Sequence, residues 1–149
     1  MNHKIKNASC IEYNGIKFKS RLECSVYKWL IENGITPQYE PYTFTIWSGF
    51  KPNVPFYTKS KHNNLKLDNK KIIDIKYTPD FFFIYKGIRV FIEVKGIEND
   101  VFYIKKKLFR AYLEKCKMEK GLNLLYFEIF TKRQLLQAIE IIKNYEFKD

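Results

Sequence analysis

Residues 77–96 read YTPDFFFIYKGIRVFIEVKG, and the fold follows from this stretch. Two apolar runs flank Lys86-Gly87, a composition typical of two antiparallel strands joined by a tight turn. Counting outward from the turn pairs the two strands residue by residue and places Asp80 opposite Glu93. Because side chains alternate between the two faces of a strand, Asp80, Glu93 and Lys95 are predicted to lie on one face.

This arrangement brings two negative charges together. Directly opposed residues in a sheet have Cβ atoms roughly 5 Å apart, and like charges in that position destabilise the sheet. A divalent cation between Asp80 and Glu93 would remove the repulsion. Lys95 allows a simpler interpretation, in which it forms an ion pair with one of the two carboxylates in an inert sheet.

The pair Pro79-Asp80, followed by Glu93-Val94-Lys95, resembles the motif of the PD-(D/E)xK nuclease superfamily, whose members share a small α/β core and mostly hydrolyse phosphodiester bonds. The resemblance implies a restriction-endonuclease-like core, Mg²⁺ or Mn²⁺ as the cofactor, and endonucleolytic hydrolysis of DNA. It also implies that Asp80, Glu93 and Lys95 are catalytic residues.

The resemblance extends beyond the motif. Residues 18–23, 29–35 and Tyr39-Glu40 are similar to the first helix and strand of the phage endonuclease I family, which are Holliday junction resolvases. Residues 76–96 and 103–105 are also similar to a family of small, mostly uncharacterised phage nuclease-like proteins.

The chemistry of a hard cation selects the ligands. Mg²⁺ prefers oxygen ligands in octahedral geometry and keeps several waters. The predicted ligands are therefore Asp80, Glu93 and the backbone carbonyl of Val94, together with phosphate oxygens of the substrate. Lys95 is predicted to orient the nucleophilic water or to offset negative charge in the transition state.

Glu23 has two interpretations. The run from Ser20 to Glu23 has the form of a capping box, in which the glutamate returns to the backbone N–H of Ser20 and has a purely structural role. In the families that the chain resembles, a glutamate of the first helix completes the acidic cluster. Glu23 is therefore also a candidate catalytic residue and metal ligand, whereas Glu40 is expected to be exposed or paired.

The charge of the chain favours a polyanionic partner. Lys and Arg total 27 against 16 Asp and Glu, a net charge of +11 at pH 7. Together with a candidate hydrolytic site, this balance makes DNA the expected partner through phosphate contacts. The predicted DNA-binding residues are Lys105, Lys106, Lys107 and Arg110 in the helix after the Glu-x-Lys strand, and Lys59 and Lys61 in a lysine-rich segment. Solvated surface charge explains the same residues.

The predicted elements give an α/β fold in one domain spanning residues 1–149. Its order is helix, three strands, helix, strand, helix, with a mixed sheet of four to five strands flanked by the helices. The strands outside the hairpin are predicted at Gln38 to Trp47 and at Leu122 to Phe130, the latter buried on both faces. Residues 48–71 are a lysine-rich excursion with a short strand around Val54 to Thr58.

Caps and apolar spacing predict the helices. Ser20 opens the first helix, Asn99 or Asp100 the second, and Thr131 the last. Glu98 is expected in the loop before the second helix. The predicted buried stripe of that helix consists of Val101, Ile104, Leu108, Tyr112 and Cys116, with Phe109 and Leu113 beside it.

Several classes of protein are not indicated. Cys10, Cys24 and Cys116 are far apart and only His3 and His62 join them, so neither a zinc site nor a disulfide framework is expected. Residues 1–12 lack the apolar stretch of a signal peptide, and no run predicts a transmembrane helix. A cytoplasmic location is expected, which is the host cytoplasm if the protein is phage-encoded.

The resemblance to resolvases implies branched DNA as the substrate. Two symmetric cuts require two sites, so a homodimer is expected.

Two alternatives remain open. One is a TnsA-like transposon end-cutting nuclease, which is similar around Thr78-Pro79-Asp80-Phe81 and Glu93-Val94-Lys95. The other is a DNA-binding module that retains the fold without catalysis.

Overall fold

A computed structural model describes residues 11–97 and 99–146, so the predictions for Cys10 and Glu98 lie outside the described residues. The helices are α1 (Arg21–Glu32), α2 (Asp100–Lys120) and α3 (Lys132–Lys143). The strands are β1 (Glu12–Tyr13), β2 (Ile16–Lys17), β3 (Gln38–Tyr39), β4 (Phe44–Trp47), β5 (Tyr57–Lys59), β6 (Leu65–Leu67), β7 (Ile75–Tyr77), β8 (Phe81–Tyr85), β9 (Ile88–Val94) and β10 (Leu124–Ile129).

A four-stranded mixed sheet lies at the centre, with the strand order β10-β9-β8-β3. The β8–β9 hairpin is antiparallel, β3 runs antiparallel to β8, and β10 runs parallel to β9. The parallel pair is joined by α2, which is long enough to cross from one end of the sheet to the other. This sheet and the helices follow the predicted order along the chain, and the predicted α/β class is confirmed.

The predicted register of the hairpin is confirmed. Tyr85 pairs with Ile88 and Phe81 pairs with Ile92, as the count from the turn requires. Lys86 and Gly87 both have positive φ, 46° and 82°, the conformation that suits a two-residue turn between twisted strands. The residues just beyond the last pair, at the open end of the hairpin, are Asp80 and Glu93.

The two faces of the sheet pack against different cores. Val90 and Ile92 of β9 face α1 and α3 in the larger core. Phe91, which lies between them, faces the opposite way and packs on α2 in a smaller, mostly aromatic core. Alternation along β9 therefore divides the fold into an aliphatic side and an aromatic side.

The predicted stripe of α2 is wrong. Val101 and Ile104 are 62% and 57% exposed, whereas Phe102 and Phe109 are buried. The ring of Phe109 lies 4.7 Å from the ring of Tyr77, between their centroids. The other apolar residues predicted on or beside the stripe are half-buried: Leu108, Tyr112, Leu113 and Cys116. Aromatic partners on the sheet thus decide which face of this helix is buried.

The single strand predicted from Gln38 to Trp47 is also wrong. It is divided into β3, which belongs to the main sheet, and β4, which pairs with β7 outside it. The break lies at Glu40, whose φ is 48°, and Pro41 follows. Proline has no backbone N–H for a strand ladder, so the chain leaves the sheet at this point.

Strand β10 is shorter and less buried than predicted. It lies at one edge of the main sheet, and of its six residues only Ile129 is buried. Its side chains reach both cores, but its outer edge has no neighbouring strand among the described residues. An edge position therefore leaves this mostly apolar strand half-exposed.

The predicted helix starts are confirmed by their caps. Ser20 accepts a hydrogen bond from the Glu23 N–H at 3.1 Å, and Thr131 accepts one from the Gln134 N–H at 3.2 Å. Asn99 caps α2 by accepting from the backbone N–H at the third position of that helix, at 2.8 Å. Among the described helices, none combines the length and apolar character that spanning a bilayer requires.

Candidate metal centre

A cleft of about 560 Å³ opens at the end of the sheet where β8 begins and β9 ends. The first turns of α1 and α2 form its other walls. Its charged lining consists of Lys19, Glu23, Glu40, Lys76, Asp80, Glu93, Lys95 and Lys105. The four residues predicted to be catalytic therefore line a single cleft, and three of them, the carboxylates, are buried.

Asp80 joins the two strands of the hairpin at their open end. It precedes β8 directly and is 7% exposed. Its Oδ2 accepts a hydrogen bond of 2.7 Å from the backbone N–H of Val94, the last residue of β9. This bond continues the hairpin ladder through a side chain. It places the backbone of Val94, whose carbonyl is a predicted metal ligand, next to the Asp80 carboxylate.

Glu93 is held at both carboxylate oxygens. The hydroxyl of Tyr77 donates to its Oε2 at 2.8 Å, and Lys95 Nζ lies 3.1 Å from its Oε1. The Tyr77 hydroxyl also lies 2.8 Å from the hydroxyl of Tyr126 on β10. Sequence analysis assigned no role to Tyr77 or Tyr126, because neither the spacing nor the motif places a hydroxyl next to Glu93.

Lys95 is fixed on two sides. Besides the ion pair with Glu93, its Nζ lies 4.0 Å from the centroid of the Phe102 ring on α2, within cation–π range. The ion pair predicted by the simpler interpretation of Lys95 is thus present. An ion pair with Glu93 alone does not account for the cleft, because the cleft holds two further buried carboxylates, those of Glu23 and Asp80.

The structure shows the Ser20 half of the predicted capping box and places the Glu23 side chain among the carboxylates of the cleft. The backbone N–H of Glu23 completes the Ser20 cap, so the residue is part of the helix start. Its carboxylate is buried and accepts a hydrogen bond of 3.4 Å from the Tyr39 hydroxyl. The backbone of Glu23 therefore serves the cap while its side chain enters the acidic cluster.

A cluster of three acidic residues, Glu23, Glu40 and Asp80, could bind a metal ion. One carboxylate oxygen from each lies within 4.8 Å of the others. Glu40 also forms an ion pair of 2.9 Å with Lys19, as its predicted pairing requires. Its positive φ and the bond from its N–H to the Asp80 carbonyl, 2.8 Å, bring it to the cluster. Sequence analysis gave Glu40 no metal-binding role.

The crowding of carboxylates changes their protonation. Burial, with the nearby charge of Glu93 as the next cause, raises the pKa of Asp80 to about 9. Burial also raises the pKa of Glu93 above its usual range, although the Tyr77 hydrogen bond and Lys95 oppose the rise. Without a cation, the ionised forms of Asp80 and Glu93 are therefore disfavoured, and carboxylate oxygens are the donors that a hard divalent cation prefers.

Replacing Asp80 by asparagine should stabilise the metal-free protein at alkaline pH. The pKa of Asp80 is raised on folding, so its favourable contribution is present at acidic pH and is lost as the pH rises towards 9. The asparagine side chain would still accept the Val94 N–H. In EDTA at pH 8, we expect Asp80→Asn to be about 2 kcal/mol more stable than wild type, roughly 4–8 °C in Tm, with little difference at pH 4.

Asp68→Asn is the matched control, because Asp68 also accepts a backbone N–H, that of Lys70 at 3.1 Å, but lies outside the cleft. Thermal melts across pH, with and without Mg²⁺, measure the effect. A wild type as stable as Asp80→Asn throughout this pH range would contradict the raised pKa of Asp80.

The predicted DNA-binding residues are dispersed. Lys107 and Arg110 are exposed on α2, and Lys59 and Lys61 are exposed beyond β4. Lys105 lines the cleft. Lys106 is half-buried and forms an ion pair of 2.6 Å with Glu128 on β10. The structure adds Lys19 and Lys76, which sequence analysis did not select, to the basic lining of the cleft.

Comparison with known proteins gives one match. The model of a family described as "Protein of unknown function (DUF1064)" matches residues 3–128, a range that contains every residue of the cleft. No curated protein and no solved structure matches the chain. Because the match covers most of its length, the chain belongs to the DUF1064 family.

Proposed function

We propose that the protein is a metal-dependent DNA endonuclease with a restriction-endonuclease-like core. The observation that carries the proposal is the convergence of Asp80, Glu93 and Lys95 at the open end of one hairpin, inside a cleft. Two buried carboxylates and a lysine on one sheet face have no evident structural purpose, since burying them opposes folding. The α-β-β-β-α-β-α order of the main sheet and its helices is also the order expected for the PD-(D/E)xK nuclease superfamily.

The ligands of the proposed metal ion are Asp80, Glu93 and the carbonyl of Val94, with Glu23 as a further ligand. Glu23 and Asp80 also belong to the cluster with Glu40, in which one carboxylate oxygen of each residue lies within 4.8 Å of the others. When bound, Mg²⁺ or Mn²⁺ would lower the pKa of a water molecule and offset charge on the phosphoryl oxygens. Tyr77 fixes the orientation of the Glu93 carboxylate by donating to one of its oxygens. Its hydroxyl thus supports the ligand without entering the reaction.

Lys95 acts on the reacting groups in this proposal. Its ammonium is held between Glu93 and the Phe102 ring, so its position is set before substrate arrives. From there it orients the attacking water and offsets negative charge as the water attacks phosphorus and the sugar oxygen leaves. A preorganised charge of this kind needs no rearrangement during the reaction.

Nucleic acid is the proposed substrate because the cleft is lined by cations as well as carboxylates. Lys19, Lys76 and Lys105 line it, and the net charge of the chain is +11. Branched DNA cut by a homodimer is the finer proposal, since a four-way junction needs two cuts and each chain offers one such cleft.

A substrate panel tests the proposal. Labelled four-way junction, flap, linear duplex and single-stranded DNA are incubated with the protein in Mg²⁺, Mn²⁺ or EDTA, and the products are resolved on denaturing gels. We expect metal-dependent cleavage with junctions and flaps cut fastest. Cleavage that persists in EDTA would contradict the metal mechanism, and DNA binding without cleavage in either metal would favour a non-catalytic module.

A further inference from the structure

The segment between β4 and β7 forms a two-stranded ribbon where sequence analysis predicted an excursion. Phe50 and Ile72 exchange two backbone hydrogen bonds of 2.9 and 2.8 Å, and β5 pairs with β6 further out. We call residues 48–74 the ribbon. The predicted strand at Val54 to Thr58 is right in part, because β5 begins at Tyr57.

The ribbon leaves apolar side chains uncovered. Tyr57 pairs with Leu67 and Lys59 pairs with Leu65, so these four residues share one face. On this face Leu65 is 79% exposed, Tyr57 is 56% exposed and Leu67 is 45% exposed. A two-stranded hairpin is marginally stable alone in water, and contiguous exposed apolar side chains mark binding surfaces.

The charge of the ribbon indicates what covers this face. Its lysines are all exposed: Lys51, Lys59, Lys61, Lys66, Lys70 and Lys71. Its two acidic residues are used locally, since Asp68 accepts the Lys70 N–H and Asp74 accepts the Gly49 N–H at 2.7 Å. A second copy of the chain would bring the same positive charges, whereas a polyanion complements them.

We propose that the ribbon binds unpaired or unstacked bases of nucleic acid, with Tyr57 and Leu65 against the bases and the lysines on the phosphates. The shared face of β5 and β6 offers aromatic, aliphatic and lysine side chains, which stack on bases and neutralise phosphates without reading base edges. The inference deepens the proposed endonuclease function, on which the choice of DNA rests, by assigning selectivity for distorted DNA to the ribbon.

The base of the ribbon meets the cleft. Strand β7 runs from the ribbon to Tyr77, which donates to Glu93. Thr78, the next residue, lines the cleft and lies 2.7 Å from Thr43 between their hydroxyl oxygens, which ties the two segments at the ribbon's base. The ribbon is therefore connected to the cleft directly through β7 and Thr78.

Binding in EDTA tests the inference without any cleavage. Fluorescence anisotropy is measured with a labelled duplex, the same duplex carrying a bulge of unpaired thymines, and a single strand. We expect Tyr57→Ala to weaken binding to the bulged and single-stranded probes about tenfold and to leave duplex affinity within about twofold. Tyr57→Phe should retain wild-type affinity, because stacking needs the ring and not the hydroxyl.

Tyr145→Ala is the control, since Tyr145 is another exposed tyrosine, beyond the end of α3 on the other side of the sheet. Lys59→Ala, which removes the lysine of that face, should weaken all three probes alike and reduce the salt dependence of binding. Equal losses on duplex and bulged DNA for Tyr57→Ala, or no loss on either, would overturn the inference. So would light scattering in which wild type is a dimer and Tyr57→Ala a monomer, because the partner would then be a second copy.

The two proposals fail separately. A protein that binds bulged DNA through Tyr57 but cleaves nothing in Mg²⁺ or Mn²⁺ would refute the endonuclease and leave the ribbon as a nucleic-acid-binding element. A protein that cleaves DNA and binds bulged probes equally well with Tyr57→Ala would refute the role of the ribbon alone.

Discussion

Glu93→Gln should lower the rate of DNA cleavage in Mg²⁺ by about 10³-fold or more, while the fold and most DNA affinity remain. Glutamine still accepts the Tyr77 hydroxyl bond, so the packing around residue 93 is kept. What is lost is the negative charge that holds the metal ion and Lys95. Single-turnover cleavage of the best substrate from the panel measures the rate, and anisotropy in EDTA measures the affinity.

Glu128→Gln provides the matched control for this experiment. Glu128 is the neighbour of Glu93 across the parallel pair of strands, and its carboxylate pairs with Lys106 outside the cleft lining. The same change of one carboxylate to an amide should therefore alter cleavage by only a fewfold. If the two variants lose activity equally, or if Glu93→Gln cuts at the wild-type rate, Glu93 has no role as a ligand.

Phe109→Ala should destabilise the protein by about 4 kcal/mol, because it empties the centre of the aromatic core. Phe109 is fully buried and its ring lies 5.0 to 5.4 Å from those of Tyr126 and Phe91, between centroids. Ile104→Ala on the same helix should change stability by less than about 0.5 kcal/mol, since Ile104 is exposed. Urea denaturation of both variants measures the difference.

This pair of variants also decides between two faces of α2. Sequence periodicity places Ile104 in the buried stripe, whereas the structure buries Phe109 and exposes Ile104. A larger loss of stability for Ile104→Ala than for Phe109→Ala would restore the stripe predicted from the sequence.

The hairpin register was predictable because it depends on local information. A tight turn at Lys86-Gly87 fixes every later pair by counting, and both residues adopt the positive φ that the turn needs. The positions of Asp80, Glu93 and Lys95 in the candidate site were predictable for the same reason, since all three follow from this count. No contact with another part of the chain has to be known.

The α2 stripe was not predictable in the same way. Apolar residues occur on several sides of this helix, so spacing alone permits more than one buried face. The choice is made by Tyr77, Phe91 and Phe44, which come from other strands and surround Phe109.

Glu40 was missed for a similar reason, because its place in the cluster depends on Lys19 and Asp80. Both contacts join segments that are distant along the chain, and no spacing rule connects them. The break beside Glu40 had a local signal in Pro41, which a continuous strand does not accommodate.

The carboxylates of the cleft come from both sides of the sheet and meet at its end. Glu23 comes from α1, which packs on the aliphatic core, whereas Glu93 projects to the aromatic side and is held there by Tyr77. Neither core alone can gather the carboxylates of the cleft, and their sequence separation means that the cluster forms only after long-range contacts are made. A complete site therefore requires that both halves of the molecule have reached their native arrangement.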